Sequence, residues 1–122
     1  MKVELPKPIS ANRLFKNKAR GRGRTEAYNT WRWQAKAMIQ DQKPICKPNG
    51  PVRVFFAIGE KGLRKDSDGD NLLKCLLDAL VENGILTDDN RQFVRGVGME
   101  WVEGKEGATA HITPAESPAN PR

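Results

Sequence analysis

The clearest structural signal in the sequence is a helix between Asp70 and Glu82. Apolar residues recur there at the spacing of one helix face, and Asn83-Gly84 supplies residue types that commonly end a helix. The apolar residues are Leu72, Leu73, Leu76, Leu77, Leu80 and Val81. A helix with such a stripe needs a second layer of structure against which the stripe is buried.

Four segments supply strands for that second layer. Residues 51–59 alternate apolar and other side chains, as a half-buried strand does, and residues 2–5 predict a short strand. Residues 93–102 and 108–113 predict two further strands. The glycine-containing segment between them, 104–107, predicts a hairpin turn that pairs these two strands.

A second helix is predicted ahead of the strand at 51–59. Thr25 is a candidate N-cap, and Pro44 stops the helix at about Lys43. Trp33 lies on the side opposite the apolar face and is a candidate for a subunit interface or for base stacking. The apolar face consists of Tyr28, Trp31, Ala35, Met38 and Ile39.

These elements predict an α+β fold of two layers, in which helices pack against a mixed sheet of about four strands. The chain has 122 residues, which is enough for a single small domain. We assign that domain to residues 1–113 and expect 114–122 to be a flexible, proline-rich tail.

Composition narrows the class of protein. No apolar run approaches the roughly 20 residues of a membrane-spanning helix, so we expect a cytoplasmic protein without a membrane partner. Cys46 and Cys75 lack the spacing of a metal motif, and we expect both thiols to be reduced.

Basic charge is concentrated in one segment. The formal net charge is +6, which suits a polyanionic partner. The segment 15–24, FKNKARGRGR, interleaves cations with glycine and predicts a flexible loop that contacts DNA phosphates, although a merely solvated loop has the same composition. The predicted DNA-binding residues are Lys16, Lys18, Arg20, Arg22 and Arg24.

Three acidic residues stand at alternate positions where this helix begins: Asp66, Asp68 and Asp70. One interpretation is that Ser67 caps the helix while Asp68 and Asp70 interact with its dipole. A calcium loop of the EF-hand type is excluded, because such a loop needs glycine at the position of Asn71 and glutamate at that of Leu77. A DxD pair also occurs in nucleotide-sugar transferases, but this chain is short for an added nucleotide-binding domain.

A metal site is the other interpretation of these acids. If the fold brings Asp89 beside Asp68 and Asp70, their mutual repulsion calls for a hard cation, and oxygen ligands select Mg²⁺ or Mn²⁺. Lys74 lies one turn beyond Asp70. It forms either a surface pair with Asp78 or a contact to a scissile phosphate.

The sequence resembles the RusA-type Holliday junction resolvases, or crossover junction endodeoxyribonucleases, over roughly residues 3–113. The motifs that carry the resemblance are Leu5-Pro6, Pro8-x-Ser10-x-Asn12, Asp68-x-Asp70-Asn71-Leu72-x-Lys74, Asp78-Ala79-Leu80, Gly84-Ile85 and Asp88-Asp89. Asp66 and the basic, glycine-rich residues 21–24 depart from the family pattern.

The resemblance implies a function and a site. Members of that family are homodimers that make paired nicks in four-way DNA junctions during recombination and repair, using a divalent metal and no nucleotide cofactor. Asp68, Asp70 and Asp89 would be catalytic metal ligands, and Lys74 would be catalytic as well.

The main alternative is a basic, non-catalytic DNA-binding or architectural protein, in which the acids merely cap a helix. A metal-binding transferase is the third possibility. The roles of Asp66 and Asp88 stay open.

Overall fold

A four-stranded sheet and two helices frame the molecule, which was analysed as a computed structural model. The structure describes residues 1–18, 21–42 and 47–115, and for 17, 18, 21 and 22 it describes the backbone alone. The elements are β1 (Lys2–Leu5), β2 (Phe15–Lys18), β3 (Gly21–Arg24), α1 (Glu26–Asp41), β4 (Val52–Gly59), α2 (Gly69–Glu82), β5 (Val94–Val102) and β6 (Ala108–Pro114), with a short 3₁₀ turn at Ala11–Arg13.

The sheet is mixed, with the strand order β1-β6-β4-β5. Strand β4 pairs parallel with β5 and antiparallel with β6, which in turn pairs antiparallel with β1. This architecture confirms the predicted α+β class and the single small domain. No helix in the described part of the chain is both long and apolar enough to cross a membrane.

The core lies between the sheet and the two helices. The alternating residues of β4 face it as predicted, and α2 contributes the buried residues of its leucine stripe. Leu73, Leu77 and Val81 are partly buried at its edge. The largest contributors from these two elements are Val54, Phe56, Ile58, Leu72, Leu76 and Leu80.

Helix α1 begins as predicted and ends earlier. Thr25 is the N-cap, and its hydroxyl oxygen accepts a hydrogen bond from the Tyr28 N–H at 3.1 Å. The helix ends at Asp41, followed by Gln42, whose side chain bonds to the backbone of Glu4 in β1. Residues 43–46, which include the predicted stop at Pro44 and the thiol of Cys46, lie outside the described residues.

The apolar face of α1 matches the prediction at four of its five positions. Met38 is the exception, because 37% of it is exposed at the edge of the face. Trp33 is 69% exposed, as its place on the opposite side of the helix predicted.

The predicted pairing of the last two strands is wrong. Strands β5 and β6 both pair with β4, which lies between them, so the segment 103–107 is not the turn of a hairpin. The segment crosses the end of β4 instead, where the Gly59 N–H donates to the Gly107 carbonyl oxygen at 2.8 Å. The physical reason is burial: β4 is the most apolar strand and is buried most completely when a strand covers each of its edges.

The segment 15–24 is not wholly a loop, contrary to prediction. After the 3₁₀ turn, β2 and β3 pair as antiparallel strands with Phe15 opposite Arg24 and Lys18 opposite Gly21. Residues 19–20 between the two strands lie outside the described part of the chain. Glycines at alternate positions concealed the alternation that would have marked a strand.

Candidate functional site

The loop before α2 places its acids by capping the helix. Asp68 is the N-cap, whereas one interpretation of the sequence had placed the cap at Ser67. Asp68 Oδ1 accepts a hydrogen bond from the Asp70 N–H at 3.1 Å. Ser67 instead donates its backbone N–H to the Arg64 carbonyl oxygen. Capping satisfies an otherwise unpaired N–H, and the helix dipole favours a carboxylate there. The acids at 68 and 70 are therefore held in a defined geometry at a helix N-terminus.

A cavity of about 440 Å³ opens beside this helix start. One wall is the loop and the first turn of α2, with Asp66, Asp68 and Asn71. The other wall comes from the beginning of the chain, and it consists of Lys7, Pro8, Ile9, Ser10, Asn12 and Arg13. Two motifs that are far apart in the sequence therefore line one concave surface that contains both acids and cations.

Two buried side chains hold the first motif in place. The Trp31 indole N–H donates to the Lys7 carbonyl oxygen at 2.7 Å. The Ile9 N–H donates to the Cys75 Sγ at 3.4 Å, and burial raises the pKa of that thiol to about 12. Cys75 is fully buried and is a free cysteine in this structure.

Charged residues continue along one face of α2. Lys74 Nζ lies 3.4 Å from Asp78 Oδ2, which is the surface pair that the sequence allowed. The Tyr28 hydroxyl donates to the same carboxylate oxygen at 3.4 Å, and burial together with the Asp78 charge raises the pKa of Tyr28 to about 12. The Lys74 side chain is 53% exposed, so a phosphate in solution can reach its ammonium group.

Asp89 lies beside the C-terminal half of α2, whereas Asp68 caps the N-terminus of that helix. Asp89 lines a cavity of about 220 Å³ together with Asp78, Glu82 and Asp88 from the acidic side and Arg24 from β3. Asp78 follows Asp70 by eight positions on the helix, a rise of roughly 12 Å. Asp89 and Asp68 thus line different cavities on either side of the Asp70 and Lys74 positions.

Asp88 has a local structural role. Its Oδ1 accepts from the Asp89 N–H at 2.7 Å, and its Oδ2 accepts from the Asn90 side-chain amide at 3.0 Å. Asp66 pairs with Arg64 at 3.2 Å, and both side chains are largely exposed. An exposed pair of this kind stabilises little, so the Asp66 carboxylate stays available to the cavity it lines.

The structure therefore brings together only part of the predicted metal set. Within the ranges 1–18, 21–42 and 47–115, no three His, Cys, Asp or Glu side chains converge to hold a metal ion. Asp68 and Asp70 lie at one helix terminus, and Asp89 lies near Asp78. The proximity of Asp89 to the other two acids, on which the sequence-based metal site depended, is not seen among the described residues.

Comparison with known proteins decides the family. The family model for Endodeoxyribonuclease RusA matches residues 6–113, which is most of the chain. The chain belongs to the RusA endodeoxyribonuclease family. A search of the curated proteins found no match. Membership of the RusA family confirms the predicted resemblance, and it supports endodeoxyribonuclease activity for this chain.

In this RusA family member the basic segment is divided between two faces of a strand pair. Directly opposite residues of an antiparallel ladder share a face, so Arg24 lies on the face of Phe15, and the neighbouring Lys16 lies on the other. Both side chains are exposed. Lys18 and Arg22 are described by their backbone alone, and Arg20 lies outside the described residues.

Arg32 is a site residue that sequence reasoning missed. Its Nε donates to Glu82 Oε1 at 3.1 Å, and this bond from Arg32 is the main cause of a lowered pKa for Glu82. Both residues line the cavity that contains Asp89. No sequence pattern marks such a pair, because 50 positions separate its members.

Proposed function

We propose that this chain is a divalent-metal-dependent endodeoxyribonuclease that resolves Holliday junctions by paired, symmetric nicks in recombination and repair. The RusA family match over residues 6–113 carries the proposal, because that range includes every proposed catalytic residue. The cavity beside Asp68 adds support, because residues of the Pro8-x-Ser10-x-Asn12 motif and of the motif that begins at Asp68 line it together.

The residues at the start of α2 have the chemistry that a hard cation requires. Asp68 uses Oδ1 in capping, and Asp70 lies in the exposed first turn. Mg²⁺ commonly takes one or two protein carboxylates and completes its shell with water and substrate phosphate. We therefore propose Mg²⁺, with Mn²⁺ as a substitute, held by Asp68 and Asp70. A cation bound there would neutralise phosphate charge and lower the pKa of water.

Asp89 is our third proposed ligand. Asp89 lines a different cavity from Asp68. We propose that it contributes to the metal site when DNA is bound, where the cation offsets the repulsion among the carboxylates. A metal-binding measurement tests this: Asp68→Asn should abolish Mn²⁺ binding, whereas Asp89→Asn should weaken it only when DNA is present.

Lys74 and the basic strands have separate proposed roles. The Lys74 ammonium would lie beside the scissile phosphate and offset the negative charge that develops as the phosphodiester breaks. Lys16, Lys18, Arg20, Arg22 and Arg24 would contact the DNA backbone and release its counterions. A homodimer, which we also propose, would apply two such sites to the two symmetric strands of a junction.

The test is nicking of a synthetic four-way junction in Mg²⁺ and Mn²⁺. Asp70→Asn should reduce nicking by at least on the order of 100-fold, the scale on which loss of one electrostatic group lowers turnover. Asp66→Asn is the control, since this exposed acid lines the cavity beside Asp68, pairs with Arg64 and is not a proposed ligand. Wild-type protein that binds but never nicks would refute the proposal, and nicking by Asp70→Asn at the wild-type rate would refute the site.

A non-catalytic DNA-binding protein is the second candidate. Two observations favour it: Asp68 is used as a helix cap, and no three potential ligands converge in the described part of the chain. Such a protein would bind the junction equally well in EDTA and in Mg²⁺ and would leave its strands intact. The same nicking assay therefore separates the two candidates.

A further inference from the structure

A second cavity adjoins the one that contains Asp68. Its volume is about 520 Å³, within the range of pockets that bind small organic groups. Leu63, Arg64 and Ser67 line both cavities, so the two form one continuous surface. The residues lining the second cavity are Glu60, Leu63, Arg64, Lys65, Ser67 and Trp101.

Trp101 gives this cavity an aromatic wall. Its register partner on β4 is the buried Ile58, which puts the indole on the helix-covered face of the sheet. The strand β5 is an edge strand, so the indole keeps 41% of its surface exposed. The exposed part of this large apolar ring lies beside a charged loop.

Met99 and Trp101 both lie beside the start of α2. A Cβ built on Gly69 would lie 2.2 Å from Met99 Sδ and 3.7 Å from Trp101 Cζ2, the second of which is an ordinary van der Waals distance. Gly69 stands between Asp68 and Asp70 in the chain. The aromatic wall therefore lies next to the helix terminus that carries the proposed metal ligands.

The rest of the cavity is predominantly cationic. Arg64 and Lys65 are exposed cations, and among the described residues that line the cavity one acid, Glu60, stands against them. Arg64 pairs with Asp66 on the surface, which costs little to break, so its guanidinium is available to an anion. An aromatic face beside two cations matches a nucleotide, whose base stacks on rings and whose phosphate is anionic.

We propose that this cavity binds an unpaired nucleotide of the DNA substrate, with the base stacked on Trp101 and its phosphate near Arg64 and Lys65. The proposal rests on the nuclease function proposed above, because a strand cleaved beside Asp68 would continue across Leu63 and Ser67 into the second cavity. Stacking here would fix the distance between the branch point of the DNA and the bond that is cut.

The first arm of the experiment reads the indole directly. In Trp33→Phe protein the two remaining tryptophans are the buried Trp31 and the exposed Trp101. Titration with a short oligothymidylate in EDTA should quench the fluorescence of this variant and leave the Trp33→Phe/Trp101→Phe protein unchanged. Absence of quenching overturns the proposal. A fluorescence change that depends on protein concentration instead of DNA concentration also overturns it, because a second copy of the chain would then cover Trp101.

The second arm measures affinity for a four-way junction in EDTA. Trp101→Leu should weaken binding about 10-fold, as expected for loss of one base–aromatic stack, and Trp101→Phe should restore most of the affinity. Phe55→Leu is the matched control, because Phe55 is also 41% exposed and lies on the opposite face of the sheet. Equal affinities for the two leucine variants overturn the proposal.

Nicking by wild-type protein in Mg²⁺ is scored separately. Nicking without quenching refutes the nucleotide site and leaves the nuclease standing. Quenching without nicking supports a DNA site at Trp101 and refutes the nuclease.

Discussion

Lys74 stands between two possible roles at the scale of a single residue. Its ammonium pairs with Asp78, yet half of the side chain is exposed on the same helix face as Asp70. An exposed pair at positions i and i+4 contributes a few tenths of a kcal/mol, which is too little to explain a strong effect on cleavage. A large loss of turnover on substitution would therefore come from contact with the reacting phosphate.

The prediction for Lys74 compares two substitutions. Lys74→Ala should reduce the rate of junction nicking on the order of 100-fold and leave junction affinity nearly unchanged, because the charge acts in the transition state. Asp78→Asn removes the same ion pair from its other end and should keep most of the nicking activity. Single-turnover rates and binding curves measure both effects. Similar rates for the two variants would reduce Lys74 to a surface pair.

At the scale of elements, α2 was predictable and its cap was misassigned by one residue. Its leucine spacing depends on neighbours within two turns, so the sequence contains the whole signal. Ser67 and Asp68 are both good capping residues, and only the backbone turn at Arg64 and Ser67 decides between them. The predicted hairpin of β5 and β6 was wrong for a related reason. Strand pairing depends on which strand is buried between the others, and here that strand is β4.

The pairing of β2 with β3 leads to a prediction about DNA binding. Arg24 faces a cavity that contains four carboxylates and helps to lower the pKa of Glu82, whereas Lys16 lies on the other face of the strand pair. Lys16→Gln should therefore lower the slope of log affinity against log salt by about 1, and Arg24→Gln by clearly less. Junction binding across a salt series in EDTA measures both slopes. Equal slopes would contradict the division of the basic segment into two faces.

At the scale of the whole molecule, the sequence predicted the family but not the geometry of the proposed site. The residue types and the order of the motifs predicted the family, which the family match confirms, and they are the basis on which the acids at 68, 70 and 89 are proposed as ligands. Where Asp89 stands relative to Asp68 depends on how the chain returns after Gly84, and no local pattern encodes that path. The cavity between Pro8 and Asp68 likewise results from packing through Trp31 and Cys75, contacts that join residues far apart in the chain.

Tyr28 joins three of these parts, and its ionisation should therefore report on the stability of the whole fold. The residue belongs to α1, its ring contacts Phe15 of β2 edge to face at 5.8 Å, and its hydroxyl reaches Asp78 of α2.

Because the folded-state pKa of Tyr28 is raised from 10.0 to about 12, the native state holds this proton more tightly than the unfolded state does. The stabilisation is fully present below pH 10 and is lost as the pH rises toward 12, by at most about 2 kcal/mol, because the hydroxyl is only partly buried and solvent screens its interaction with Asp78. Lysines titrate in the same range, so denaturant unfolding of wild type should be compared with that of Tyr28→Phe at each pH. The stability difference between the two proteins should fall over this interval, and since Tyr28 is the chain's one tyrosine, tyrosinate absorbance gives its pKa directly. A tyrosinate midpoint near 10, with a stability difference that does not change with pH, would show that burial and Asp78 do not act on this hydroxyl as the structure indicates.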